Sequence, residues 1–250
     1  MQAMGVHFPE LARRGGRLAQ ARGPWLVAAL MLGIHGLVAV AGGPPQIPQW
    51  YLALGLRREA VVSGELWQVL TYAWLHGSWL HALLNALCVL IVGGRVEQII
   101  GTRGFLQTLA AGIIGGAVGH LLLADGSHTA FPLVGMSGAC VALLLLLTTL
   151  SPESKMLPLP VSGRSLGLGI LLAEGLCALA DPKLGLPGFA LLGQALVAHG
   201  LETWFSIGHA CHVGGGVAGF LAAKWILRPG PSLSRLRQQR SRREAKQRDH

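Results

Sequence analysis

Six long apolar stretches run through this sequence, and they limit what the chain can fold into more than any other feature. An α-helix needs about 20 apolar residues to cross the hydrocarbon core of a bilayer. Six windows meet or approach that length: Pro24–Gly43, Trp79–Val96, Gly104–Ala124, Val134–Leu150, Ser165–Ala180 and Ile207–Leu227. Only 12% of the 250 residues are charged, against about a quarter in soluble domains. The sequence therefore predicts an all-α membrane protein, one bundle of six transmembrane helices with a long first loop, rather than two soluble domains.

The basic residues predict the orientation of this bundle. The N-terminal arm, residues 1–23, carries four arginines, and eight Lys and Arg residues lie between Arg228 and Arg248. The connection at residues 125–132 has neither Lys nor Arg. Because cytoplasmic loops are enriched in these residues, we expect both termini in the cytoplasm, in a multi-pass protein of the bacterial inner (plasma) membrane. The expected regions are the basic arm 1–23, a membrane domain 24–228 and a disordered basic cytoplasmic tail 229–250.

Two segments fit this scheme less simply. Residues 185–201 are uncharged and nearly long enough to span the membrane. A seventh span would move the basic tail outside, so we expect an interfacial or re-entrant segment here. The first span resembles a signal peptide, with an arginine-bearing start and Ala39-Val40-Ala41 after an apolar core. Its core is longer than the usual ~7–15 residues, and its loss would break the charge pattern, so we expect it to stay attached.

Charge and cysteine content point to a membrane partner and a reduced chain. Much of the formal net charge of +9 lies in the tail, which has almost no aromatic residues. A basic segment after a hydrophobic helix is typical of an anchor on anionic lipid, so we expect membrane lipids and no nucleic acid as partners. The cysteines lie in or beside apolar stretches without a C-x-x-C pair: Cys88, Cys140, Cys177 and Cys211. We expect buried free thiols and no disulfide framework.

Polar residues in a membrane span are costly, so each one needs an explanation. The first is Ser137, in the turn Gly135-Met136-Ser137-Gly138 that opens the fourth span. At a helix start, free backbone N–H groups and the positive end of the helix dipole can stabilise a developing oxyanion. A serine at this position is more often a plain N-cap, so the motif alone leaves both interpretations open.

A histidine followed by glycines opens the sixth span. Three residues at i, i+3 and i+7 share one face of that helix: His212, Gly215 and Gly219. Gly138 and Ala142 give the fourth span a matching face of small residues, and such faces let helices approach closely. A close contact between the two spans would bring Ser137 within hydrogen-bond reach of His212. The alternative is an interfacial histidine beside a packing motif.

A third polar set lies at the start of the second span: His76, His81 and Asn85. His81 and Asn85 are four residues apart, hence on one helical face, and both donate hydrogen bonds without a fixed charge. Such donors suit an oxyanion site, although hydrogen bonds between helices are an alternative. All three sets lie at the outer ends of their spans and together supply a nucleophile, a base and oxyanion donors, the parts that acyl transfer needs.

From roughly Tyr51 to Leu227, the chain resembles the rhomboid family of intramembrane serine proteases. Five motifs carry the resemblance: Gly64-Glu65-Leu66-Trp67, His76-x4-His81-x3-Asn85, Gly93-Gly94-x2-Glu97, Gly135-x-Ser137-Gly138 and His209-x2-His212-x-Gly214-Gly215. The resemblance implies a serine endopeptidase without a cofactor that cuts membrane-protein substrates in or next to their transmembrane segments. By position, it implies Ser137 as the nucleophile and His212 as the general base. The implied oxyanion hole consists of His81, Asn85 and the backbone N–H of Ser137.

Three positions depart from the family pattern. Many members carry an arginine where this chain has Gln68. Many also carry an aromatic ring that stacks on the catalytic histidine, where this chain has Val141, so His212 needs another orienting contact. Glu174 is unusual in the fifth span, the suspected lateral gate of the family; it either tunes substrate access or is protonated and hydrogen-bonded inside the bundle. No carboxylate is assigned beside Ser137 or His212, so we expect a Ser–His dyad.

Two other functions compete with proteolysis. A catalytically inactive rhomboid-like protein that binds client membrane proteins would share the fold, but such relatives typically lack the nucleophile or the base. A metalloprotease or metal transporter is disfavoured, because H-E-x-x-H is absent and no His–carboxylate set at ligand spacing lies within a span. His209 and His212 have the spacing of a metal-binding pair, but no companion carboxylate is apparent, so we expect no metal.

Overall fold

The structure is a computed structural model that describes residues 21–123, 132–156 and 160–228. Within these ranges the chain is mostly helical, as the sequence predicts. Its extended pairings there are two isolated bridges, Leu56–Leu133 and Lys155–Ser162. The predicted basic tail 229–250 lies outside the described residues, as does the predicted N-terminal arm up to residue 20.

The described residues form ten α-helices, which we number in chain order: α1 (Arg22–Val40), α2 (Pro48–Leu54), α3 (Arg58–Val62), α4 (Gln68–Thr71), α5 (Trp79–Cys88), α6 (Gly94–Leu123), α7 (Ser137–Leu150), α8 (Gly163–Leu179), α9 (Phe189–Ala198) and α10 (His209–Ile226). A π turn, Val89–Gly93, joins α5 to α6 without a break. Four short 3-10 turns lie between helices: Pro44–Gln46, Tyr72–Trp74, Pro182–Leu184 and Glu202–Ser206. Gly101 interrupts α6 with a φ of 76°, a left-handed value that glycine adopts easily.

Each of the six predicted spans falls on a helix. The π turn continues the second span into α6, and the non-helical Gly101 separates the second span from the third. Among the residues that the structure describes, two runs are long and apolar enough to cross a membrane by length and composition, Arg22–Val40 and Trp79–Leu123. The apolar helix α9 has ten residues, which extend about 15 Å at 1.5 Å per residue. That is half of a hydrocarbon core of about 30 Å, which fits the expectation that residues 185–201 do not span.

Helix α10 packs most extensively against α7 and α6. Small residues make this possible, because a Cβ atom on Gly215 would overlap the carbonyl oxygen of Gly138. A Cβ atom on Gly219 would overlap the carbonyl oxygen of Ala142 in the same way. The predicted small-residue contact between the fourth and sixth spans is therefore confirmed. Gly214 makes a similar backbone contact with α6, so α10 is held on two sides.

Gln68 organises the long first loop. It is fully buried, and its Oε1 accepts a hydrogen bond from the Arg57 backbone N–H at 2.9 Å. Its Nε2 donates to the Leu52 carbonyl at 3.2 Å and to Oε2 of Glu65 at 2.8 Å. The glutamine thus links α2, the start of α3 and the segment before α4. The departure from arginine at this position thus still leaves a side chain that organises the loop.

Candidate active site

Ser137 is the first residue of α7 and follows a turn that requires glycine. Gly135 has a φ of 116°, in the left-handed region that other residues avoid. The first backbone N–H to bond within the helix is that of Cys140, which donates to the Met136 carbonyl at 3.0 Å. The N–H groups of residues 137–139 therefore have no carbonyl partner within α7. They lie at the positive end of the helix dipole, where an anion is stabilised.

His212 lies in the first turn of α10, directly opposite this helix start. Its Nε2 is 2.8 Å from the Oγ of Ser137, a hydrogen-bond distance. The His212 side chain is 12% exposed, and Ser137 is half-buried. The close backbone contact of Gly215 with Gly138 lies next to Ser137 in α7 and about one turn after His212 in α10. The structure thus brings together the two residues that the sequence predicts as nucleophile and base.

A carboxylate lies beside this pair, contrary to the sequence-based expectation. Oε2 of Glu174, on α8, is 3.0 Å from Nδ1 of His212 and 2.6 Å from Nδ1 of His209. The prediction that no carboxylate lies near Ser137 or His212 was wrong, because an apolar helix does not reveal which of its faces contacts α10. The signal that could have found it is the acidic residue itself, placed within an otherwise uncharged span.

The contact between Glu174 and His212 is close but not well aligned. The 3.0 Å separation is within ion-pair distance, yet Nδ1 of His212 has no aligned hydrogen-bond partner among the described residues. His209 is better bonded, because its Nδ1 meets Oε2 of Glu174 at 2.6 Å and its Nε2 meets the Trp204 carbonyl at 3.0 Å. Glu174 is thus hydrogen-bonded inside the bundle, as one of the two sequence-based interpretations expected, but its partners are two imidazoles, which favour the charged carboxylate over the protonated form of that interpretation.

The same three residues are the metal-binding candidate of the described chain. Their ligand atoms all lie within 4.8 Å of one another: Glu174, His209 and His212. The expectation that the histidine pair lacks a companion carboxylate was therefore wrong. In a tetrahedral zinc site with bonds of about 2.0 Å, ligand atoms are about 3.3 Å apart. The carboxylate-to-imidazole separations of 2.6 and 3.0 Å are shorter and match atoms that share protons.

His81 and Asn85 flank the turn that precedes Ser137. A Cβ atom on Gly135 would lie 2.6 Å from Nε2 of His81 and 3.6 Å from Nδ2 of Asn85. The backbone of α5 presents both side chains, and Ser78 caps this helix by accepting from the His81 N–H at 3.3 Å. The two predicted oxyanion donors therefore lie on the same side of the site as the start of α7.

Asn85 has a free donor and a bonded acceptor. Its side chain is almost fully buried, and its Oδ1 lies 3.7 Å from the Cys140 thiol, which donates to it. Its Nδ2 has no hydrogen-bond partner among the described residues. A buried amide N–H of this kind is available to an oxygen atom of a bound substrate. Sequence reasoning treated Cys140 as a small buried residue and missed this contact.

His76 is separate from these donors. It is fully buried, and its ring lies edge-on to the rings of His81 and His35, with centroid distances of 5.0 and 6.2 Å. Burial, together with a smaller contribution from the two neighbouring histidines, lowers the pKa of His76 to about 4. His76 thus packs edge-on against the His81 ring and is neutral at neutral pH.

The assembled groups can perform acyl transfer. A hydroxyl hydrogen-bonded to an imidazole is an activated nucleophile. The N-terminal end of α7 and the unpaired Asn85 amide lie near it, as stabilisation of a tetrahedral oxyanion requires. In kind and placement these are the parts of a serine hydrolase.

Comparison with known proteins identifies the family of this chain. A family model described as the Rhomboid domain matches residues 63–229. A RHOMBOID-like protein 7 of Arabidopsis thaliana is 33% identical over 148 residues, which cover 56% of this chain and 46% of that protein. A Rhomboid protease GlpG of Yersinia pestis is 28% identical over 167 residues, which cover 66% of this chain and 49% of the relative.

A third relative is also named as a rhomboid protein. A Rhomboid-like protease 5 of Toxoplasma gondii is 39% identical over 90 residues, which cover 36% of this chain and 10% of that protein. The chain spans about half or less of the length of these curated relatives. The similarity therefore concerns the membrane domain that holds the site.

Proposed function

Because the chain belongs to the rhomboid family, we propose that it is an intramembrane serine endopeptidase with Ser137 as nucleophile and His212 as general base. The bond that it hydrolyses lies in or next to the transmembrane segment of a membrane-protein substrate. The observation that carries the proposal is the 2.8 Å hydrogen bond between Nε2 of His212 and Oγ of Ser137, residues 75 positions apart in the chain.

The proposed setting is a bundle of six transmembrane helices in a plasma membrane, with a basic N-terminal arm and a basic tail in the cytoplasm. The helix starts that carry Ser137 and His212 then face the outer side, because the connections nearest to them contain few basic residues. A substrate helix approaches laterally and unwinds locally, so that one peptide bond reaches the site. Membrane lipids surround the bundle, and α9 lies at the interface.

The first half of the reaction forms an acyl-enzyme. His212 Nε2 takes the proton of Ser137, whose Oγ forms a bond to the substrate carbonyl carbon. The electron pair of the carbonyl moves onto its oxygen, where Asn85, His81 and the Ser137 backbone N–H stabilise the negative charge. When the carbonyl re-forms, the C–N bond breaks and the leaving amine takes the proton from Nε2.

The second half restores the enzyme. A water molecule gives one proton to His212 Nε2, and its oxygen bonds to the acyl carbon to form a second tetrahedral intermediate. This intermediate expels the Oγ of Ser137, which recovers its proton from Nε2, and the carboxylic acid product leaves. Over the two halves, one water molecule is added across the peptide bond, and the enzyme returns to its starting protonation state.

The test is cleavage of a transmembrane reporter by purified enzyme in liposomes. Ser137→Ala and His212→Ala should abolish cleavage while both variants still insert and fold. Ser165→Ala is a matched control, because Ser165 also lies in the first turn of a helix but bonds only within that turn, to Ser162. If the Ser137→Ala enzyme cleaved the reporter at the wild-type rate, the proposal would be wrong.

Labelling of Ser137 by a fluorophosphonate separates this proposal from an inactive client-binding relative. An active dyad reacts with the probe, and the Ser137→Ala variant does not. An unreactive wild-type chain that still binds membrane proteins would favour the inactive relative. Loss of cleavage on treatment with a chelator would instead favour metal-dependent chemistry.

A further inference from the structure

We propose that Glu174 is a positioning residue for His212, so that this chain uses a Ser137–His212–Glu174 triad in place of a dyad. The inference rests on the proposed proteolytic function and adds a residue to the same site. The basis is a short distance: Oε2 of Glu174, on α8, lies 3.0 Å from Nδ1 of His212. The other ring nitrogen of His212, Nε2, faces Ser137.

The protons on the His212 ring explain why this nitrogen matters. To accept the Ser137 proton, Nε2 must be unprotonated, and the single proton of a neutral imidazole then sits on Nδ1. Nothing in the ring itself favours that tautomer. A carboxylate next to Nδ1 favours it, and it also stabilises the imidazolium that forms when Nε2 takes the serine proton. The proton stays on Nδ1 throughout.

His209 fixes the position of the carboxylate. Because Nε2 of His209 faces the Trp204 carbonyl at 3.0 Å, which only accepts, that nitrogen carries a proton. Its Nδ1 is hydrogen-bonded to Oε2 of Glu174 at 2.6 Å. In this way His209 holds Oε2 between the two imidazoles. The contact with Nδ1 of His212 is already at 3.0 Å, and catalytic hydrogen bonds that are poorly aligned without substrate commonly tighten when substrate binds.

The surroundings of Glu174 strengthen the electrostatic effect of its carboxylate on His212. Among the described residues, Glu174 forms ion-pair contacts only with the two histidines and with no Lys or Arg. The side chains are largely shielded from solvent, with 22% of Glu174 and 12% of His212 exposed. Electrostatic interactions are stronger in such a setting than at a fully solvated surface. The negative charge of Glu174 therefore acts mainly on the two imidazoles.

The triad also accounts for a departure in the sequence. Val141 occupies the position at which an aromatic ring would stack on the catalytic histidine, so His212 needs another orienting contact. Its Cγ1 lies near Gly216, on the α10 backbone, and a valine offers no polar atom to Nδ1 of His212. Glu174 supplies the contact from a different helix. This places the residue in the machinery of the reaction rather than in the control of substrate access.

The experiment compares Glu174→Gln with Glu174→Asp, using reporter cleavage in liposomes over a range of pH. The amide keeps the size of the side chain but has no charge, so kcat should fall by at least about tenfold. Fixed buried carboxylates in soluble triads contribute up to about 10⁴-fold. Glu174→Asp should recover part of the loss, because it keeps the charge one methylene further back. Glu153→Gln, which makes the same chemical change at an exposed site, should match wild type.

The pH profile distinguishes positioning from a structural role. The titratable side chains around His212 are Glu174 and His209, with His81 on α5. Without the carboxylate, the imidazolium of His212 is less stable, so the pH of half-maximal rate should move to lower values in Glu174→Gln. Fluorophosphonate labelling of Ser137 should slow to a similar extent, while thermal unfolding shows whether each variant is folded.

Three results would overturn the inference. One is a Glu174→Gln enzyme with kcat within twofold of wild type and an unchanged pH profile. Another is folded Glu174→Asp that is as inactive as Glu174→Gln, because charge would then not be the cause. The third is chelator-sensitive wild-type activity, which would make the cluster a metal site. In each case Ser137→Ala still tests proteolysis separately, so failure of the triad is distinguishable from failure of the proposed function.

Discussion

Gly215 on α10 packs so closely on Gly138 of α7 that a single added carbon would overlap the Gly138 carbonyl oxygen. Gly219 meets the Ala142 carbonyl in the same way one turn further along. Ser137 and His212 lie at the starts of these two helices. The separation of the two helix backbones therefore sets whether the hydroxyl and the imidazole can bond.

Enlarging Gly219 should separate the helices and disable the site from a distance. In Gly219→Val the new side chain must displace the α7 backbone, and forced overpacking in a close-packed region costs about 1–3 kcal/mol or more. We expect a lower unfolding temperature and strongly reduced cleavage, although residue 219 touches neither Ser137 nor His212. Thermal unfolding in detergent and reporter cleavage measure the two effects.

Gly169→Val is the matched control for this substitution. Gly169 also lies within a helix, α8, but a Cβ atom there would have nothing within 4 Å. The control should keep near-wild-type stability and cleavage. Equal losses in both variants would mean that the effect comes from valine in a membrane helix and not from the α7–α10 contact.

Removing the Asn85 amide should slow the reaction without loosening the fold. Its Nδ2 is unpaired in the described structure and lies beside the turn before Ser137. Loss of one oxyanion donor costs about 10²–10³-fold in kcat in soluble serine hydrolases. We expect Asn85→Ala to show a loss of that size with little change in KM. Leu84→Ala, at an exposed neighbouring position, should leave kcat unchanged.

The sequence allowed the central contact of this site to be predicted, because glycines at fixed helical spacing reveal a packing face without any structure. Ser137, His212 and the facing residues Gly138 and Gly215 follow from that pattern. Glu174 could not be placed in the same way. The helix that carries it is apolar on all sides, so hydrophobic periodicity does not show which face meets α10.

The hydrogen bonds of Gln68 were likewise beyond sequence reasoning. Residues far apart in the first loop meet at this side chain, and neither helical spacing nor turn chemistry specifies which backbone groups it will reach. The connection predicted between the second and third spans, by contrast, is confirmed by the break at Gly101, whose φ of 76° and ψ of 169° are not helical.

Gln68→Ala should destabilise the first loop without changing the chemistry. It would remove the partner of the half-buried Arg57 N–H and one of the two donors to the Leu52 carbonyl, which keeps Nε of Arg57 at 3.2 Å. A fully buried group left unsatisfied costs about 1–3 kcal/mol, so the loss at this half-buried N–H should lie at the lower end. We expect a lower unfolding temperature and faster proteolytic nicking of the loop, but an unchanged kcat for the folded fraction. Gln107→Ala, at an exposed position on α6, serves as the control.

His76 should make the fold sensitive to acid. Burial lowers its pKa to about 4 from an ordinary value of 6.5, so the folded state holds the neutral ring while the unfolded chain binds a proton below pH 6.5. The contribution of His76 to the free energy of unfolding is therefore constant above pH 6.5 and decreases as the pH is lowered from 6.5 to 4. The slope is at most about 1.4 kcal/mol per pH unit, and the total is about 3 kcal/mol.

Replacing His76 should flatten that acid dependence. A phenylalanine keeps an aromatic ring edge-on to His35 and His81 but cannot bind a proton, so unfolding of His76→Phe in detergent should change less between pH 6.5 and 4 than that of wild type. His199→Phe, at an exposed position, controls for the loss of a histidine. If wild type and His76→Phe lose stability in parallel as the pH falls, protonation of His76 is not the cause, and the charge state of other buried groups must be responsible.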